Sequence, residues 1–237
     1  MDFLADGLRR AVHLLFSGDA EVFGVTLLTL KIALIATIVA CALGIPAGFL
    51  LATRTFWGRR AALTVVNTAL AFPTVVVGLL LIGVLSRRGP LGELELLYTW
   101  QAIVIGDVLL ALPIAAALSA AAVQGVDPRF RRTAETLGAG TWRAAWSVAR
   151  EARFGLAAVV TAAFGQCVAE VGAALMVGGN IRGETRTLTT AVTLHAAQGD
   201  FGLALALGLV LIALALLVNV ALQVLQGAGE GGGAARA

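Results

Sequence analysis

Charge is scarce in this sequence. Only 13% of the 237 residues are Asp, Glu, Lys or Arg, against roughly 25% in an ordinary soluble domain. Lysine is nearly missing: Lys31 is the only one, and the other basic residues are arginines. There are two cysteines, Cys41 and Cys167, both inside apolar stretches, so neither a disulfide framework nor a cysteine metal site is indicated. His13 and His195 stand apart from other ligand types, and no metal ligand is predicted. No GxxxxGK[ST] phosphate loop occurs, so any use of ATP must belong to a partner. No Ser/His dyad, HExxH or paired Asp falls within the apolar stretches, and no catalytic residue or cofactor is assigned to the chain. The formal charge of +3 is not a nucleic-acid signature, because the arginines sit at the ends of apolar blocks.

What the sequence has is apolar length. Hydrophobic residues make up 59% of it, with a mean hydropathy of +0.92. About 20 mainly apolar residues are needed for a helix to cross the hydrocarbon core. Four blocks meet that length: Phe23–Ala52, Ala61–Leu85, Trp100–Gln124 and Phe201–Leu225. A fifth, Phe154–Val177, is apolar but carries Gln166 and Glu170. The alternation of a membrane β-strand is absent, and backbone groups in lipid must be paired internally, so the blocks read as helices. The expected class is an all-α membrane protein with about five transmembrane helices.

Leu4, Leu8, Ala11, Val12 and Leu15 recur at helical spacing around Arg9 and Arg10. Residues 1–22 are therefore expected to be an amphipathic surface helix or a flexible terminus, not a signal peptide. Residues 23–226 form the membrane domain, and the Gly/Ala-rich residues 227–237 read as a disordered tail. Placing the N-terminus outside puts ten of the sixteen arginines on the inner side, most of them within Gly125–Arg153. The positive-inside rule then predicts N-out, C-in. Lys31 can snorkel to the outer surface.

Pro73 and Pro113, inside the second and third spans, are expected to kink their helices. Glu170 and Asp107 are intramembrane acids, which are costly unless they face a cavity or a partner. Gly178-Gly179-Asn180 predicts a sharp outer turn. Behind it, Thr185, Thr187, Thr189 and Thr190 offer hydroxyls, and Arg182 and Arg186 offer positive charge. That chemistry suits a tetrahedral dianion or contact with a binding protein. On the inner side, Asp127-Pro128 reads as a helix start with an Asp cap and Pro at the first position. Gly138 and Gly140 break that helix, and a second begins at Thr141 with Trp142, Ala145, Trp146 and Val148.

The segment Asp127–Arg153 resembles the EAA loop of ABC importer permeases. Ala134, Leu137, Gly138 and Ala139 match that pattern, and Trp142 and Val148 fall where it has an aromatic and a Val. Arg132 stands where the pattern opens with Glu, and Glu135, one turn later, is the candidate substitute. A second stretch, AEVGAALMVGGNIRGETR followed by TLTTAVTLHAAQGDF, is similar to permeases for sulfate, molybdate and tungstate, the tungstate form above all. The resemblance implies a type-I ABC importer permease (MetI-like) fold with a cytoplasmic coupling helix. It also implies a permease homodimer, two cytoplasmic ATPase subunits that hold ATP and Mg, an extracytoplasmic oxyanion-binding protein, and residence in the inner membrane. On this reading Ala134, Glu135, Leu137, Gly138, Ala139 and Trp142 couple to the ATPase. Glu170, Gly179, Asn180, Thr185, Thr189 and Pro73 belong to the translocation pathway or its outer gate.

Overall fold

The computed structural model describes Arg9 and residues 20–227. The amphipathic segment expected over residues 1–22 lies outside them except for Arg9 and residues 20–22, and so does the expected tail beyond Gly227.

Every regular element among the described residues is helical. In chain order they are α1 (Ala20–Thr53), α2 (Arg59–Ala69), α3 (Thr74–Leu85), α4 (Trp100–Gln124), α5 (Pro128–Thr136), α6 (Thr141–Glu151), α7 (Arg153–Ala169), α8 (Gly172–Gly178), α9 (Leu188–Ala197) and α10 (Phe201–Gly227), with a 3₁₀ turn at Gly92–Leu94. α1, α4 and α10 are each long and apolar enough to cross a membrane unbroken. Counting each of two bent pairs, α2 with α3 and α6 with α7, as one span gives five candidates by length and composition among the described residues.

Two expected spans are not continuous helices. The block Ala61–Leu85 divides into α2 and α3, whose axes meet at 103°. Pro73 therefore does not kink a helix interior; it is the N-cap of α3 in extended conformation, where its missing N–H costs nothing. The block Phe154–Val177 divides at Glu170, whose extended backbone (φ −69°, ψ 131°) ends α7 before α8 begins. Pro113, by contrast, is carried within the unbroken α4.

The bundle is built on small residues. Lipid is as apolar as the helices, so association relies on close van der Waals packing. α1 and α4 form the central pair. A Cβ added at Gly44 would lie 2.6 Å from Ala115 Cβ, and one at Gly48 would run into the Ala116 carbonyl. α7 closes this pair, and Ala33, Ala36, Ala40, Ala111, Ala115 and Ala163 meet around the fully buried Phe164. Threonines in α1 keep their hydroxyls satisfied by back-bonding: Thr29 to the Val25 carbonyl (2.8 Å) and Thr37 to that of Ala33 (2.6 Å). The ammonium of Lys31 lies 3.6 Å from the centre of the Trp100 ring, a cation–π contact.

α3 and α8 run parallel and in contact, Gly78 facing Met176 and Gly172 facing Thr74 and Val75. The breaks at Pro73 and Glu170 are thus neighbours. α9 and α10 form a helical hairpin turned at Gly199 (φ +81°), with the Asp200 side chain accepting from the Leu203 amide. Leu188 and Ala191 of α9 pack on Leu207 and Val210 of α10 and Val25 of α1.

Gly48→Leu should wedge α1 from α4, an overpacking cost of about 1–3 kcal/mol. Gly24→Leu meets open space. Thermal unfolding in detergent should show a lowered midpoint for the first substitution and an unchanged one for the second.

Candidate coupling segment and translocation site

The inner segment follows the local rules of its sequence. Asp127 Oδ1 accepts from the Arg129 amide (2.8 Å) and Pro128 occupies the first turn of α5. The helix closes with Gly138 at φ +83°, the Gly138 amide on the Glu135 carbonyl and the Ala139 amide on that of Ala134 (2.9 Å). This is a Schellman closure, which needs a left-handed residue at the Gly138 position. α6 buries Ala144 and Val148 against the end of the bundle, near Val123, Ala152 and Phe49. Its other face is open: Leu137 is 82% exposed, Trp142 83% and Trp146 66%. An apolar ridge of that size on an otherwise polar connector marks an interaction surface. Ala134, Glu135, Leu137, Gly138, Ala139 and Trp142 therefore lie together, around one hinge.

The outer residues converge on two centres. The first is Glu170, 5% exposed. Its Oε1 accepts from the Ala173 amide (2.9 Å) and so caps the start of α8, while Gln166 Nε2 approaches Oε2 at 3.4 Å. Its carbonyl accepts from Thr189 Oγ1 (2.8 Å), and the Leu188 amide donates to Thr29 Oγ1 (2.9 Å). Pro73 stands nearby through the Thr74–Gly172 contact.

The second centre is the turn after α8. Gly179 (φ +69°) and Asn180 (φ +52°) are both left-handed, and a Cβ on Gly179 would strike the Tyr98 ring. Thr185 Oγ1 donates to the Gly178 carbonyl (2.6 Å) and accepts from the Ile181 amide (2.9 Å). Arg186 Nε donates to Asn180 Oδ1 (3.3 Å).

The threonine hydroxyls are therefore not presented to an anion in this structure. Thr185, Thr187, Thr189 and Thr190 are all buried, and Thr187 and Thr190 form a reciprocal capping box at the start of α9. Arg182 and Arg186 likewise face a carboxylate: Arg182 makes a two-toothed pair with Glu21, and Arg186 Nη1 lies 3.7 Å from Glu21 Oε1. Glu21 and Tyr98 had no distinguishing mark in the sequence, because their partners lie far along the chain. Asp107 is buried in α4, and its Oδ1 has no hydrogen-bond partner among the described residues.

A family model described as the inner membrane component of binding-protein-dependent transport systems matches residues 44–228. The chain belongs to that family. It is similar to the tungstate uptake system permease protein TupB of Peptoclostridium acidaminophilum, with 36% identity over 226 residues, covering 95% of this chain and 99% of that one. The "Probable anion ABC transporter permease protein" of Haloferax volcanii is 41% identical over 188 residues, 76% of this chain and 81% of its own length. The molybdenum transport system permease protein ModB of Escherichia coli K12 is 32% identical over 174 residues, 70% of this chain and 76% of its own. Among solved structures, a bacterial ABC transporter involved in the import of the acidic polysaccharide alginate superposes with a TM-score of 0.64 at 14% identity, covering 90% of this chain and 82% of that one. That likeness speaks to the fold.

As a binding-protein-dependent inner membrane component, the chain is a multi-pass membrane protein that works in a complex with an ATPase and a binding protein. Glu170 is then a structural clasp for the span break. Glu170→Ala removes the acceptor for the Ala173 amide and should cost about 1–3 kcal/mol, whereas Glu170→Gln keeps an acceptor oxygen. Thermal unfolding should rank wild type and Glu170→Gln together, above Glu170→Ala. Equal midpoints for all three would mean that the carboxylate clasps nothing.

Proposed function

We propose that this chain is the permease subunit of an ABC importer for tetrahedral oxyanions, with tungstate as first cargo. It works as a homodimer with two cytoplasmic ATPase subunits, which hold ATP and Mg, and with an extracytoplasmic oxyanion-binding protein. The chain itself catalyses nothing. Its N-terminus lies outside and its C-terminus in the cytoplasm.

The observation that carries the cargo is the reach of the similarity. Relatives named as tungstate uptake permeases match 95% and 86% of the chain at 36% and 39% identity. The Escherichia coli molybdenum relative matches 70% at 32%. The orientation draws support from the bundle end that gathers Arg54, Arg59, Arg60 and the 127–153 segment, since basic residues concentrate on the cytoplasmic side.

Mechanically, the exposed Leu137–Trp142–Trp146 ridge seats in the ATPase. Gly138 lets α5 and α6 be steered as two bodies about one left-handed residue. Movement of α6 reaches the bundle through Val148 and Ala152, and α7 carries it to the Glu170 break. Outward and inward openings then alternate across the pathway at the interface of two permeases.

Proteoliposomes holding the assembled transporter and loaded with ATP should take up tungstate in preference to molybdate and sulfate. Uptake by this chain without an ATPase subunit would overturn the reading in favour of a secondary transporter. Gly138→Val forces a β-branched residue into a left-handed conformation, at about 1–2 kcal/mol. ATP-driven uptake should fall while the ATPase still co-purifies; unchanged uptake would remove Gly138 from the coupling path.

A further inference from the structure

One helix of the bundle exposes polar side chains where comparable surfaces are apolar. α2 packs against α4, and its half-buried residues Ala62, Leu63, Val66 and Ala69 share one face. The opposite face carries Arg60, Thr64, Asn67 and Thr68, at i, i+4, i+7 and i+8, all exposed, with exposed Ala61 and Val65 along one edge of the stripe. Thr64 donates to the Arg60 carbonyl (3.0 Å). The Asn67 amide and the Thr68 hydroxyl bond to none of the described residues. On α3 and α10 the exposed positions include Val76, Leu80, Ile212 and Leu216 instead.

The stripe has a defined depth. It starts beside the inner end of α1, where Arg59 Nε donates to the Leu51 carbonyl (2.7 Å). It ends just before Thr74, which touches Gly172 next to the Glu170 break. Polar side chains without partners in such a segment face water or a polar ligand, because lipid cannot solvate them. The surroundings also have a sign: no Asp or Glu occurs from Val22 to Gly92, and Arg60 stands at the inner end. A carboxamide, hydroxyls and one guanidinium suit a partly hydrated oxyanion.

We infer that the Arg60–Thr64–Asn67–Thr68 face of α2 lines the inner half of the translocation path and hands the oxyanion from the level of the span break to the cytoplasm. This rests on the oxyanion-importer reading and adds the specific wall.

The test is thiol accessibility in the assembled transporter. N67C, T68C and L80C are made singly in a background with Cys41 and Cys167 replaced by Ala that retains uptake. Inverted vesicles are treated with a membrane-impermeant methanethiosulfonate. N67C and T68C should react at least about tenfold faster than L80C, since only a wet site lets the reagent reach the thiol. Their rates should fall when ATP and vanadate trap the transporter. Rates no faster than L80C would place the face against lipid or a second protein and overturn the inference. Fast reaction untouched by trapping would mark a static interfacial helix and overturn it too. ATP-driven release of tungstate by the wild-type transporter, from inverted vesicles preloaded with tungstate and its binding protein, separates the two readings. Wild-type release with slow labelling of N67C and T68C removes only this wall, whereas no ATP-dependent release by the wild type removes the importer reading itself.

Discussion

A helix broken inside a membrane leaves amides and carbonyls that lipid cannot satisfy, and the outer half of this protein depends on how Glu170 meets that demand. Its side chain caps the Ala173 amide and its carbonyl receives the Thr189 hydroxyl. One residue thus ends α7, starts α8 and anchors the beginning of α9. Thr29 of α1 holds the neighbouring Leu188 amide, so the outer hairpin is tied to the first span as well. Without these partners the break would expose several orphan groups, each costly in hydrocarbon.

Around that clasp the bundle divides by packing. α1 and α4 meet at Gly44 and Gly48, and α4 and α7 at Gly155, where an added methyl would collide with the neighbouring helix. α2 has no buried residue and turns sharply into α3. The inner segment is of a third kind: its local geometry is closed by caps, yet its apolar ridge faces outward. A closely packed trio, an α2 without buried residues and an exposed apolar ridge are the parts that alternating access asks of a permease.

Much of this was legible in residue order. The apolar run Trp100–Gln124 coincides with the observed helix, and Phe23–Ala52 agrees with α1 to within a few residues, because long apolar runs leave a helix no alternative. Asp127-Pro128 and Gly138 spoke through local backbone chemistry, which acts within a few residues and is visible in one sequence. The breaks at Pro73 and Glu170 look in the sequence like interior features of continuous spans. Hydropathy sums over a window and carries no information on direction, so two half-helices at 103° look like one. In the sequence the threonine hydroxyls look available to an anion or a binding protein, because partners such as the Glu170 carbonyl are created only by the fold. The Arg182–Glu21 pair spans 161 positions, beyond the reach of any local pattern.

The proposed coupling requires the Leu137 ridge to be where an ATPase subunit seats. A photo-reactive amino acid at position 137, in transporter purified with its partners, tests this directly. The expected result is an ultraviolet-dependent adduct between this chain and the ATPase, mapping to the ATPase surface. Adducts to lipid alone, with an intact and active complex, would contradict it.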